Sequence, residues 1–339
     1  MKNLLSTKKL LAVTAALVFS GAAHASLTTS YVFNGKGNWS LDGCGSNNTP
    51  VCTIDAAVPT GSTIVAAYLY SSMFYNSTIP SVTFEGQVYS GASWTALGSA
   101  GGLEAYRTDV TSQVSTLIGG GSASPFSFTV NNESPNGYID GEVLAIIYSN
   151  PTEQVRTIAF LDGYSNQSGD STAINLASPL TSAQLAAASF EATLSLGIGY
   201  SYQASSTLQH SDVDVNGSAL TRCAGGEDDG GSYNGGLITV GGLGDDPTNN
   251  HNCNASNPRA DDELYSLKPF LAAGDTQISI KTSNPSFDDN IFFAGLNLTA
   301  VAGVNTSPPP VVDVPESNSL VMFCLGLLGL VACRRKKLV

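Results

Sequence analysis

The chain has 339 residues, of which 42% are hydrophobic and only 12% charged, with a formal net charge of −13. So acidic a chain lacks the basic footprint that nucleic acid or an anionic lipid surface would need. Its length fits one large or two ordinary domains besides any targeting segments.

Residues 1–25 have the order of a secretory signal peptide. Lys2, Lys8 and Lys9 come first, then an apolar run over residues 10–19, then small residues ending in Ala23-His24-Ala25. That ending is an A-x-A cleavage site. The order predicts cleavage after Ala25 and a mature start at Ser26. Three of the 14 basic residues lie in this leader and four at the other end, which leaves seven for the body. Of the 27 acidic residues only Glu316 falls in the tail, which leaves 26, so the body carries −19. Such a field suits cations, or solubility outside the cell.

Strand signals dominate the body. "SYVFNG", "STIVAAYLYSS", "SVTFEGQVYSG", "FSFTVNN", "EVLAIIYSN" and "VRTIAFLDG" are short β-branched and aromatic runs bounded by Gly, Pro, Asn and Asp. "EATLSLGIGYSYQ", "DVDVNGSAL", "LITVGG", "TQISIKTSN" and "NIFFAGLNLTAV" follow. Two short helices are expected. One is in "DVTSQVSTLI", starting at Asp109 or Thr111; the other is in "TSAQLAAAS", capped by Thr181 or Ser182. Many short strands with punctuated turns predict an all-β body, a β-sandwich or jelly roll.

The two halves echo one another. "SVTFEGQVYSG" parallels "DVDVNGSALTR", "AYRTDVTSQV" parallels "ELYSLKPFL", and "FSFTVNNES" with "IDGEVLAIIYSNP" parallels "ISIKTSNPS" with "FDDNIFFAGLNLTAV". The order is the same in both, as an internal duplication requires. Two tandem jelly-roll-like sandwich units are expected, over residues 26–155 and 156–303. One double-sheet sandwich built across both halves is the alternative.

Four cysteines fall in the body. Cys44 and Cys52 bracket "GSNNTPV", and Cys223 and Cys253 bracket a Gly/Asp/Asn-rich loop. An even count in an exported chain reads as disulfides. Local pairing, Cys44 with Cys52 and Cys223 with Cys253, is the simplest of three connectivities. A zinc site is the rival, but it lacks C-x-x-C spacing, and only His210 and His251 remain in the mature chain.

Acidic pairs recur late in the chain. Asp228–Asp229, Asp245–Asp246, Asp261–Asp262 and Asp288–Asp289 lie in loops, the first two pairs among glycines. Hard oxygen ligands on such loops suit Ca²⁺, the one cofactor the sequence suggests. Solvated turns are the plainer alternative. "DVDVNG" matches half of a calcium loop, but the position of its bidentate acid is Cys223, and Asn216-Gly217 reads as a hairpin turn. Catalysis has little support: there is no G-x-S-x-G elbow, and a glycosidase would need two facing carboxylates across a cleft. Trp39, Trp94 and Tyr233 are candidates for stacking on sugar rings, although tryptophans such as these more often pack a core or a strand end, and Tyr233 is the better exposed candidate.

The tail is a second address. "NTSPPPVVDVPES" is an extended spacer. The apolar run over residues 320–333 is short of a comfortable membrane span. Arg334, Arg335, Lys336 and Lys337 would stay cytoplasmic by the positive-inside rule. Val314-Pro315-Glu316, then "LVMFCLGLLGLVAC", then "RRKK" resemble the PEP-CTERM sorting signal. The family usually has a second proline where this chain has Ser317. The resemblance covers about the last 26 residues. It implies a linker with the sorting motif over residues 304–317 and a sorting helix over residues 318–339. It also implies the export machinery and an exosortase-type enzyme as partners, in a Gram-negative bacterium that makes extracellular polysaccharide. In the body, "AYLY", "DVTSQV", "DGEVLAIIY", "DDELYSLKPFLAAGDTQISI" and "NPSFDDNIFFAGL" resemble uncharacterised secreted β-sandwich proteins of bacteria and archaea, which implies a surface protein and no activity.

The expectation is therefore an exported, exosortase-sorted, non-enzymatic protein of the cell surface or exopolysaccharide matrix, structural or adhesive. It is held in the inner membrane by its tail until processing, and exopolysaccharide is its expected partner. A Ca²⁺-dependent carbohydrate-binding module is the alternative, and a glycoside hydrolase the more distant one.

Overall fold

A computed structural model describes residues 26–47, 49–74, 78–100, 102–132, 138–200, 210–225, 238–248, 263–286 and 289–309. Nineteen strands and two short α-helices are found among them. In the first half these are β1 (Thr28–Gly45), β2 (Val51–Ala56), β3 (Thr63–Phe74), β4 (Val82–Phe84), β5 (Gln87–Tyr89), β6 (Thr95–Ala100), β7 (Leu103–Asp109), α1 (Thr111–Ile118), β8 (Phe126–Asn132) and β9 (Ile139–Ser149). The second half has β10 (Val155–Asp162), β11 (Asp170–Leu176), α2 (Ser182–Ala186), β12 (Ala192–Gly199), β13 (Ser211–Val215), β14 (Ser218–Ala224), β15 (Ile238–Val240), β16 (Leu264–Ser266), β17 (Gln277–Ser283), β18 (Asn290–Leu298) and β19 (Ala302–Val304).

The strands stack as four layers. The two outer sheets are β2-β8-β4-β5 and β14-β13-β17-β11-β19. Between them runs a ten-stranded path, β15-β12-β18-β10-β1-β9-β3-β7-β6, with β16 also paired to β12. This path is folded on itself. The first half of β1 pairs with β10, from Thr28 opposite Asp162 to Lys36 opposite Val155. Its second half pairs with β9, from Gly37 opposite Ser149 to Gly45 opposite Gly141. The ribbon bends over at Gly35-Lys36-Gly37, so its two halves become facing inner sheets. Phe33 and the Tyr148 carbonyl crowd the bend: a Cβ on Gly37 would lie 2.2 Å from that oxygen.

Three apolar layers hold the sheets together. Ile54, Phe84, Phe128, Leu144 and Ile146 lie between the first outer sheet and its inner partner. Ile174, Leu196, Val213, Ile278 and Leu296 fill the matching space in the second half. Tyr70, Ile147, Phe160 and Phe293 fill the space between the inner sheets. Every residue of β18, and all of β9 but its last, is buried. A sheet covered on both faces needs an unbroken apolar run rather than alternation, which is why "EVLAIIY" and "NIFFAGL" read as they do.

Each half is a jelly roll. In the first, the inner order is β1-β9-β3-β7 and the outer β2-β8-β4-β5; in the second, β10-β18-β12-β16 and β11-β17-β13-β14. With the eight strands renumbered within each half, both read 1-8-3-6 over 2-7-4-5, the jelly-roll arrangement. The segments that echo in sequence occupy equivalent strands. Their hairpin turns match too: Glu85-Gly86 has φ of 47° and 78°, Asn216-Gly217 has 51° and 79°. Two successive left-handed residues are what a type I′ hairpin requires.

α2 begins with a capping box, in which Thr181 and Gln184 bond each other's backbone N–H. α1 takes Val110 as its N-cap, while the Asp109 carboxylate accepts from the Thr111 N–H at 2.8 Å.

Candidate functional site

The disulfide expected between Cys44 and Cys52 is present, with Cα atoms 6.0 Å apart. It joins the end of β1 to the start of β2. Cys223, on β14, is also disulfide-bonded, and Cys253 lies outside the described residues. So do Ala23, Ala25, Val314, Pro315, Glu316, Arg334, Arg335, Lys336, Lys337, Asp228, Asp229, Asp261, Asp262, Asp288, His251 and Tyr233. No helix among the described residues is long and apolar enough to cross a membrane, and the run over residues 320–333 is not among them.

Three of the eight paired aspartates are described, and their surroundings differ. Asp245 accepts from the Gly242 N–H and closes a turn. Asp246 accepts from the N–H and hydroxyl of Thr248, at 2.9 and 2.7 Å, which holds its carboxyl below the usual range. Asp289 is fully buried, with φ of 52°. Among the described residues these three do not converge with other acids as a ligand cluster. Trp94 belongs to the core of the first sandwich. Trp39 packs between the inner sheets, against Gly295. His210 lies 3.4 Å from Asp212.

Two features stand out that sequence reasoning missed. The first is an open groove of about 730 Å³ between the β4–β5 hairpin and α1. Glu85, Gln87, Tyr89, Asp109, Gln113 and Thr116 line it. Gln113 organises its floor. It accepts from the Tyr89 hydroxyl at 2.7 Å and donates to the Phe84 carbonyl at 2.7 Å. Glu85 is fastened to the Thr129 N–H. The groove thus offers carboxylate, amide and hydroxyl groups on a fixed frame, with no cationic side chain among its lining.

The second is Glu142, fully buried within β9. Its Oε2 accepts from the Ser46 hydroxyl at 2.9 Å and lies 4.0 Å from Cys52 Sγ. One carboxylate oxygen and both sulfurs lie within 4.8 Å of one another, the only such convergence of three His, Cys, Asp or Glu groups among the described residues. Both sulfurs are taken by the disulfide, so the cluster is not a metal site in this oxidised form. Burial pushes the Glu142 carboxyl up to about 7, against the smaller opposing pull of Ser46 and Asn132. The signal was legible: "YIDGEVLAII" carries two acids in an apolar strand run, and a charged residue is rarely buried without a specific environment.

Comparison with protein-family models finds no match, and none is found among curated proteins. Among solved structures, the chain is similar to a β-porphyranase of glycoside hydrolase family 86 from the human gut bacterium Bacteroides plebeius. The identity is 11% and the TM-score 0.22, over 76% of this chain and 36% of that one. The chain thus spans about a third of that protein's length, and no activity is carried across from it.

Proposed function

We propose that the chain is an exported, non-enzymatic protein of the cell surface or exopolysaccharide matrix, with a structural or adhesive role. The observation that carries the reading is the Cys44–Cys52 disulfide in a body flanked by an export-type leader and a sorting-type tail. Disulfides persist outside the reducing cytosol. Ser26, where cleavage is expected, is bonded through its hydroxyl to Asp170 at 2.7 Å. Four stacked sheets, the two inner ones sharing the β1 ribbon, suit a rigid matrix element. Fractionation tests this: the protein should co-purify with surface polysaccharide, and recovery from the cytosol would contradict it.

A carbohydrate-binding module is the second reading, favoured by the groove at α1. Amide, hydroxyl and carboxylate groups complement sugar hydroxyls, which both donate and accept. A body of −19 disfavours a polyanionic glycan unless divalent cations bridge the two. Neutral polysaccharide is therefore the expected ligand. A glycan array with the whole chain, run with calcium and with EDTA, separates the cases. Equal binding to neutral glycans in both arms supports the groove alone. Binding lost in EDTA supports the calcium reading, and no glycan binding in either arm removes both.

A further inference from the structure

The cluster at Glu142 supports a different kind of chemistry, independent of the reading above. Cys44 and Cys52 are only half-buried. They open into a hollow of about 350 Å³, lined also by Thr49, Val51, Thr53 and Ile238. A small dithiol, or the tip of a peptide loop carrying one, can enter such a space. Directly behind the sulfurs stands a carboxyl group held in place by Ser46. We propose that the Cys44–Cys52 disulfide is a thiol–disulfide exchange site for an incoming dithiol, with Glu142 Oε2 delivering the proton to Cys52 Sγ as the S–S bond breaks.

One thiolate of the dithiol attacks Cys44 Sγ, and the S–S bond breaks with its electron pair moving to Cys52 Sγ. Glu142 gives its proton to that sulfur and becomes a carboxylate. The second thiol of the donor then attacks the mixed disulfide as its thiolate. It displaces Cys44 Sγ, which takes a proton from water. The donor dithiol is oxidised to a disulfide, both protein cysteines end as thiols, and Glu142 regains its proton from solvent. In reverse, the carboxylate accepts the Cys52 proton as the disulfide re-forms.

A leaving thiolate in a partly buried site is costly unless it is neutralised, and water has limited access behind it. Glu142 suits the task because it keeps its proton through most of the acid range, being raised to about 7 by burial. The groups around it are Cys44 on β1, Cys52 on β2, Ser46 after β1, Ser71 on β3 and Asn132 on β8. The carboxylates on those elements and on β9 itself are Asp42, Asp55 and Asp140. Asp42 is bonded to the Asp55 N–H, and Asp140 to Ser72 and the Tyr200 N–H. None of the three is among the causes of the Glu142 shift.

The experiment follows reduction of the full chain by dithiothreitol. Thiols are trapped by alkylation, and the peptides bearing Cys44 and Cys52 are read by mass spectrometry, so that the disulfide at Cys223 does not interfere. The rate constant is divided by the thiolate fraction of the reagent at each pH. With Glu142 as proton donor, the corrected constant falls about tenfold between pH 6 and 8. Glu142→Gln flattens the profile and slows the reaction about tenfold at pH 6. A flat corrected profile in the unmodified chain overturns the proposal, whether or not the variant folds. An unchanged sloping profile in a folded Glu142→Gln variant overturns it equally.

Discussion

Tyr70 and Asp162 bind the two jelly rolls to each other. Tyr70 is on β3 of the first and Asp162 on β10 of the second, and the phenol donates to Asp162 Oδ2 at 3.2 Å. Arg107 completes an ion pair on the same oxygen. The Tyr70 ring also stands 4.9 Å from that of Phe293. Burial raises the Asp162 carboxyl, while Arg107 and its hydrogen bonds pull it back. Tyr70→Phe should cost about 1 kcal/mol, the worth of a buried hydrogen bond. Arg107→Met should cost about 2–4 kcal/mol, because it leaves a buried carboxylate without its cation. Its penalty should be smaller at pH 5 than at pH 8, since protonating Asp162 relieves it. Urea unfolding at the two pH values measures both.

The fold-over of β1 is a steric prediction. Gly37→Val places a Cβ against the Tyr148 carbonyl and the Phe33 ring. Overpacking of this kind should cost about 2–3 kcal/mol. Gly120→Ala meets nothing within 4 Å and should change stability by about 0.5 kcal/mol or less. Equal melting of the two variants would show that the bend is not tightly packed.

Stability should fall as the pH rises from about 4.5 to 7, through Glu142. Its carboxyl is raised from 4.5 in the open chain to about 7 when buried, so the folded state binds the extra proton in that window. The contribution is fully present below pH 4.5 and lost as the pH passes 7, on the order of 3 kcal/mol in all. Asp42, raised to about 6, acts in the same direction. Glu142→Gln should remove most of the slope between pH 5 and 7.5, as read by denaturant midpoints.

Gln87 tests the groove with little effect on the fold, because it is exposed on the β4–β5 hairpin. Gln87→Ala should weaken glycan retention about tenfold, the effect of losing one good polar contact. The change in stability should be about 0.5 kcal/mol or less. Unaltered retention would move the sugar contact elsewhere.

The class of fold was legible because strand and turn signals agree throughout. The doubling was legible from the echo of "SVTFEG" and "DVDVNG", whose hairpins share one turn type. β1 was not. "KGNWSLDGCG" lacks β-branched residues and carries three glycines, so only the first third of β1 read as a strand; pairing with β9 overrides that weak local preference. The local disulfide followed from cysteine spacing, but the acid behind it did not, since nothing in one dimension brings Glu142 to Cys52, 90 residues away. The groove was missed for the same reason: it joins a hairpin to a helix across a sheet.

Mass spectrometry of the chain's two ends, on material from the cell surface, tests the central claim most directly. Export and sorting predict a first residue of Ser26 and the loss of the apolar run from Leu320 onward. Recovery of the chain from the cytosol with "MKNLLSTKKLL" and "LGLLGLVACRRKK" both intact would contradict the account.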